Sequence, residues 1–182
     1  MPLPEPVARE KIHQRDVNCV GYRRGDGLWD LDGHLTDVKT YPFKNRLRGE
    51  ISVGEPLHEM WIRITIDDQF VIRDIIASSD KFPLSDCPDI VENYRALIGL
   101  RLGPGFNQQA RKQVGKIKGC SHLSKLIRNL SVVALQTVGP LVYKDFGEQS
   151  ETMPPHLDRC HALRIDGDEV REHYPRWYKK SD

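Results

Sequence analysis

The stretch HEMWIRITIDDQFVIRDIIA, residues 58–77, decides the fold. His58, Met60, Ile62, Ile64 and Ile66 alternate with Glu59, Trp61, Arg63, Thr65 and Asp67, which is the period of a strand with one buried face. Asp67-Asp68-Gln69 turns the chain, and Phe70 to Ala77 returns as a second strand. So short a connection makes the two neighbours antiparallel. Toward the N-terminus, Val17 to Arg24 and Leu28 to Thr40 read as a hairpin around Gly25-Asp26-Gly27. On its second strand Trp29, Leu31 and Leu35 share one face, while Asp30, Asp32, His34 and Thr36 share the other. Gly33 interrupts the apolar side, where glycine marks a bulge or a close approach. Tyr41 to Glu55, with Lys44, Arg46 and Arg48, reads as a loop.

Beyond Pro83 the period changes. Ile90, Tyr94, Leu97 and Ile98 recur at helical spacing after Pro88 and stop at Gly99. Phe106 to Val114 is a short helix. Ser121 can cap a longer one to Val138, with Leu123, Leu126, Ile127, Leu130 and Ala134 on one stripe, and Gly139-Pro140 should stop it. Lys144 to Pro155 is polar loop. Ala162 to Ile165 and Glu169 to Arg171 flank Asp166-Gly167, a hairpin signal, and Tyr174 to Tyr178 form an aromatic tail. Strands followed by helices imply an α+β fold: an antiparallel β-meander packed against a helical C-terminal half with a terminal β-hairpin. One domain is expected over residues 1–182, with a loose arm at 1–14, the meander at 15–80, the helical part at 84–139, and the hairpin and tail at 157–182. A chain of this length buries roughly 70% of the surface its unfolded form exposes.

The 27 Lys and Arg against 26 Asp and Glu leave a net charge of +1, without the basic excess of a nucleic-acid binder. No nucleic-acid partner is expected. The apolar run Val132 to Leu135 is too short to span a bilayer, so no membrane partner is expected either. The N-terminal residues Met1 to Pro6 show no signal-peptide pattern. Cys19, Cys87, Cys120 and Cys160 are scattered and form no CxxC pair, which fits reduced thiols in the cytoplasm. A homodimer is left open.

Three groups of residues could carry chemistry. Asp30, Asp32, His34, Asp37, Lys39 and Tyr41 place an acid, an imidazole, an ammonium and a phenol on one strand and its exit, enough for a proton relay or merely a solvated face. His58 lies beside the apolar stripe of residues 58–66, and Arg63 opposite it could bind an anionic group or form a surface ion pair. Gly119-Cys120-Ser121-His122 stands at the start of the longest helix, where a thiol has a lowered pKa. The plainer reading, and the one expected, is that Cys120 packs. HExxH, CxxC, GxGxxG, GxxxxGK[ST] and GxSxG are all absent, so neither a metal nor a cofactor is expected.

The strings GYRRGDGLWDLDGHLTDVKTY (Gly21 to Tyr41), GEPLHEMWIRITID (Gly54 to Asp67), LIGLRLGPGF (Leu97 to Phe106), GCSHLSKLI (Gly119 to Ile127) and LDRCHALRIDGDEVREHYP (Leu157 to Pro175) resemble a bacterial family known as domain of unknown function 2889. Arg23, Asp26, Trp29, Asp30, His34, Asp37, Lys39, His58, Arg63, Asp67, Cys120 and His122 fit its strings. Some members are similar to formaldehyde-releasing lyases of lignin-derived aromatics. The resemblance therefore implies a cofactor-independent lyase that cleaves a C–C bond of an aromatic dimer in a retro-aldol step. In that mechanism His34, or else His58, takes the hydroxyl proton, and Asp30 or Asp32 orients it. Lys39 or Arg63 stabilises a phenolate. Trp29, Trp61, Tyr41 and His122 contact the aromatic substrate. The alternatives are a metal-dependent hydrolase and a non-catalytic binding module.

Overall fold

The alternation in residues 58–77 becomes two strands of a four-stranded antiparallel sheet in the computed structural model, which describes residues 3–143, 152–154 and 156–180. Its strands are β1 (His13–Arg23), β2 (Trp29–Lys39), β5 (Pro56–Ile66) and β6 (Ile72–Lys81), in the order β1-β2-β5-β6. Between β2 and β5 a second, two-stranded sheet is formed by β3 (Phe43–Asn45) and β4 (Gly49–Ile51). The expected loop at residues 41–55 thus holds a small hairpin. Asn45 shapes its turn by accepting the backbone N–H groups of Leu47 and Arg48 on its side-chain oxygen. Three-residue strands are too short to show a period.

The helical half begins with a 3₁₀ segment, Pro88–Leu97, where an α-helix was the simpler expectation. It continues with α1 (Phe106–Val114), a 3₁₀ turn at Lys116–Lys118 and α2 (Ser121–Val142). Ser121 is the first residue of α2 and not its cap; Cys120 precedes the helix and its carbonyl accepts from Ser124. Nor does the helix stop at Gly139-Pro140. Proline removes only its own N–H from the ladder, and the next turn still closes, with Tyr143 N–H bonded to the Gly139 carbonyl at 2.9 Å.

The chain divides into two compact units, Met1–Val138 and Gly139–Asp182. In the first, the odd positions of β2 are buried with Met60, Ile62, Ile64, Ile66, Ile72 and Ile75 of the sheet, and with Leu123, Leu126, Ile127, Leu130 and Ala134 of α2. Two glycines set how close α2 comes to the sheet. A Cβ on Gly33 would lie 2.8 Å from Leu126, and one on Gly21 would lie 2.0 Å from the Thr137 hydroxyl. Residue 122 meets the Asp37 end of β2 and residue 137 the end paired with Gly21, so α2 runs against β2. The other face of the sheet carries Val20, Tyr22, Trp61 and Ile76, all exposed.

The second unit contains α3 (Asp168–His173) and a 3₁₀ turn at Pro175–Trp177, with Leu157 and Val170 buried. Its described residues form no terminal β-hairpin. Asp166-Gly167 does not make the hairpin turn because Gly167 is extended, at φ −89°, where that turn needs a left-handed residue. Asp168 and Glu169 instead open a helix, where acidic side chains are favoured. The polar loop read at Lys144 to Pro155 lies mostly outside the described residues. Among the described residues no helix is long and apolar enough to cross a membrane, and all four cysteines are free thiols.

Candidate metal centre

Strand parity puts Asp37 on the inner face with Trp29, Leu31 and Leu35, not on the polar face with His34. Its neighbour across the sheet is His58 of β5, and a register shift follows directly at Asp37/Val38. The first turn of α2 brings His122 down onto the same point. Asp37 is thus a buried carboxylate, with a side chain 4% exposed, facing two imidazoles.

Two kinds of neighbour surround it. On one side Arg15 donates in a fork, Nε to Oδ1 at 2.7 Å and Nη2 to Oδ2 at 2.6 Å, and His13 Nε2 is 2.9 Å from Oδ1. On the other, His58 Nδ1 lies 3.1 Å and His122 Nε2 lies 3.5 Å from Oδ2. The two rings stand 4.0 Å apart, centroid to centroid. His58 Nδ1 is fully buried, and its contact with Asp37 is bent away from good hydrogen-bond geometry, with no other partner among the described residues. The remaining nitrogen of His122, Nδ1, is 3.7 Å from Cys120 Sγ, which also touches Met60 Sδ at 3.9 Å. Tyr94 fixes this corner: its buried hydroxyl donates to the Cys120 carbonyl at 2.8 Å and accepts from the Cys120 N–H at 2.9 Å.

The charges follow from this geometry. Burial pushes the Asp37 carboxyl up, but the Arg15 fork outweighs it and holds the pKa below its ordinary value. Burial holds the His58 imidazole below its usual pKa. His122 is pushed down to about 4, by burial first and then by His58 and Arg15. At neutral pH the centre is one carboxylate and two neutral imidazoles, the protonation state a transition metal needs in its ligands.

The spacing suits such an ion. Metal–ligand bonds of about 2.0–2.1 Å put tetrahedral ligand atoms about 3.3 Å apart. The observed 3.1 and 3.5 Å bracket that separation, and the three ligand atoms all lie within 4.8 Å of one another. Cys120 sits behind His122, on the nitrogen that faces away from Asp37, and so orients this ring rather than adding a fourth ligand.

The buried neutral histidines also make a prediction about acid. A folded pKa below the unfolded value of 6.5 stabilises the fold fully above pH 6.5, and this contribution is lost as pH falls toward about 4. In metal-free protein His122 alone should contribute roughly 2–3 kcal/mol of this loss. Urea midpoints measured from pH 7 to 4 should fall steeply, and His122→Gln should flatten the curve. An unchanged slope in that variant would count against the assignment.

Other residues singled out from the sequence lie elsewhere. Arg63 forks onto Asp32 at 2.7 and 2.6 Å on the outer face, where Asp30 accepts from Thr65 at 2.7 Å. His34 stacks on Trp61 on that same face, with centroids 3.6 Å apart, and its Nε2 is 3.4 Å from Glu59. Trp29 is in the core, its indole N–H on Asp68 at 2.8 Å. Lys39 donates to Tyr41 Oη at 3.0 Å and sits over Phe43. Of the residues singled out, Asp37, His58 and His122 meet at the buried centre, while His34 with Trp61, Lys39 with Tyr41 and Arg63 with Asp30 pair elsewhere. Arg15 and His13 were not singled out in the sequence. Counting parity from Trp29 to Asp37 was the available signal for the buried carboxylate.

A model of the family described as Protein of unknown function (DUF2889) matches residues 13–136, which take in the whole sheet and the centre. No curated protein and no solved structure matches the chain.

Proposed function

Because the chain belongs to the DUF2889 family, whose description assigns no activity, we propose its function from the site: a metal-dependent hydrolase with its ion on Asp37, His58 and His122. The convergence of the buried His58 Nδ1 and His122 Nε2 on the same carboxylate oxygen of Asp37 carries this reading. Two imidazoles and one carboxylate leave coordination positions free for water or substrate, and an ion so placed lowers the pKa of water near 7. Arg15 fixes the carboxylate and Cys120 the His122 ring, so the ligands are held before an ion arrives.

Equilibrium dialysis of chelator-treated protein against Zn²⁺, Co²⁺ and Mn²⁺ should show one tightly bound equivalent, with a rise in thermal midpoint. His58→Ala and His122→Ala should each weaken binding at least ~100-fold, and chelation should abolish hydrolysis of a panel of small esters and phosphoesters. Stoichiometric binding that survives both substitutions would dismiss the centre.

One observation favours a second reading. A buried carboxylate 3.1 Å from a neutral imidazole also resembles the orienting half of a general-base dyad. In that form His58 takes the proton of a hydroxymethyl side chain, the C–C bond breaks with its electron pair passing into a conjugated quinone methide that becomes a phenolate, and formaldehyde leaves without a metal. Formaldehyde release by chelated protein would select it.

A further inference from the structure

Cys120, whose sulfur touches His122, also lines a cleft of about 280 Å³ formed by α1, the Lys116–Lys118 turn and the start of α2. Four cations from three separate elements stand around it: Arg111 of α1, Lys116 of the turn, and Lys125 and Arg128 of α2. No acid lines it. In a chain of net charge +1, a concavity of one sign is a local choice and not a reflection of the whole. Arg15, Arg63 and Arg48, by contrast, are paired with Asp37, Asp32 and Glu55. None of the four lining side chains has a hydrogen-bond or ion-pair partner among the described residues.

The floor is different in kind. Val114 and Ile127 are buried apolar residues that open onto the cleft, with Ser124 between the apolar floor and the charged rim. Such a site suits a ligand with an apolar body and one anionic end. A cleft this small excludes a polymer as the natural occupant and accepts a body of a few carbons. Charged walls around a low-dielectric floor concentrate an anion there.

We propose that this cleft anchors the substrate of the Asp37–His58–His122 centre by a carboxylate or phosphate group, with its apolar body lying over Val114 and Ile127 on the Cys120 side of His122. The inference rests on the proposed function for the reacting end, but the anion site stands on its own residues. An anchor apart from the metal ligands selects a substrate by a part that does not react. With it, remote binding energy holds the reacting bond in place.

The test uses the full chain, metal-loaded and metal-free, with three probes: inorganic phosphate, hexanoate and the neutral hexanamide. Amide chemical shifts should move for Ser121, Ser124 and Lys125 with hexanoate or phosphate. Comparing these two probes distinguishes a carboxylate from a phosphate ligand. Hexanamide should bind about tenfold more weakly or worse. Arg111→Glu with Lys125→Glu, both at exposed side chains, should weaken anion binding by about tenfold or more while one equivalent of metal still binds. Conversely, His122→Ala should lose the metal and keep the anion, so a failure of the metal centre and a failure of the anion site give different results. Equal binding of hexanoate and hexanamide, or unchanged anion affinity in the double variant, would overturn the proposal. So would a single-stranded oligonucleotide that binds more tightly than any probe and loses its affinity in the same variant, since the cations would then serve nucleic acid.

Discussion

Asp37→Ala is expected to cost about 2–3 kcal/mol of folding free energy and to remove metal binding in the same step. Breaking a buried ion pair on one side typically costs about 3–5 kcal/mol, because a charge is left without its partner. Arg15 is 31% exposed and can turn partly to water, which lowers the figure. The sheet supplies its own control. Asp32 and Arg63 make the same fork at the same 2.6–2.7 Å, but Arg63 is 51% exposed and the pair lies on the outer face. Asp32→Ala should therefore cost less than about 1 kcal/mol. The Arg–Asp geometry is equal in the two cases, so burial, with the three histidines gathered on Asp37, makes the difference. Urea unfolding of both variants at pH 7, with dialysis against Zn²⁺, checks the pair of expectations. Equal losses would show that burial is not what distinguishes them.

Gly119→Ala should be as damaging, for a steric reason. The backbone there is extended, at φ −158° and ψ 179°, which any residue can adopt. The obstacle is contact: a Cβ would lie 2.1 Å from the Val114 carbonyl oxygen and 3.1 Å from the Tyr94 hydroxyl. A main-chain carbonyl at the end of α1 cannot rotate away as a side chain can. Either α1 shifts or the 119–120 segment does, and the latter breaks the two bonds from Tyr94 to Cys120. About 3 kcal/mol is expected, with a fall in thermal midpoint of roughly 2–4 °C per kcal/mol. Gly33→Ala is the milder comparison. Its Cβ would meet only the Leu126 side chain, at 2.8–3.2 Å, and Leu126 has other rotamers, so about 1–2 kcal/mol is expected. A stable Gly119→Ala protein with unaltered metal binding would contradict the argument.

The α+β class and the meander were legible because period-two alternation is strong in β2 and β5, where one face is buried and the other wet. The elements misread were those in which a local signal competes with a longer one. Asp166-Gly167 looks like a hairpin turn, yet the acids that follow it start a helix. Gly139-Pro140 looks like a stop, yet α2 continues through it. All three ligands of the candidate centre were visible as single residues, Asp37, His58 and His122. Its assembly was not, because it joins positions 37, 58 and 122 through tertiary packing. Asp37 was assigned to the polar group beside His34 by chemistry, although its parity places it inward. His13 fell in the expected loose arm and Arg15 ahead of the strand read from Val17, whereas β1 extends far enough to bring them opposite Lys39 and Asp37.

The glycines beneath α2 have a consequence for the precision of the centre. Leu126 seats against Gly33 and Thr137 against Gly21, so the helix is indexed along its axis at two points with no side chain between it and the strands. Sliding α2 by one residue would move every atom about 1.5 Å, and by one turn about 5.4 Å. Metal ligation tolerates about 0.2 Å. The alignment of His122 over Asp37 is therefore set partly by notches 4 and 15 residues further along the same helix, and a substitution at Gly21, far from any ligand, would act on the centre as a gear tooth acts on a dial.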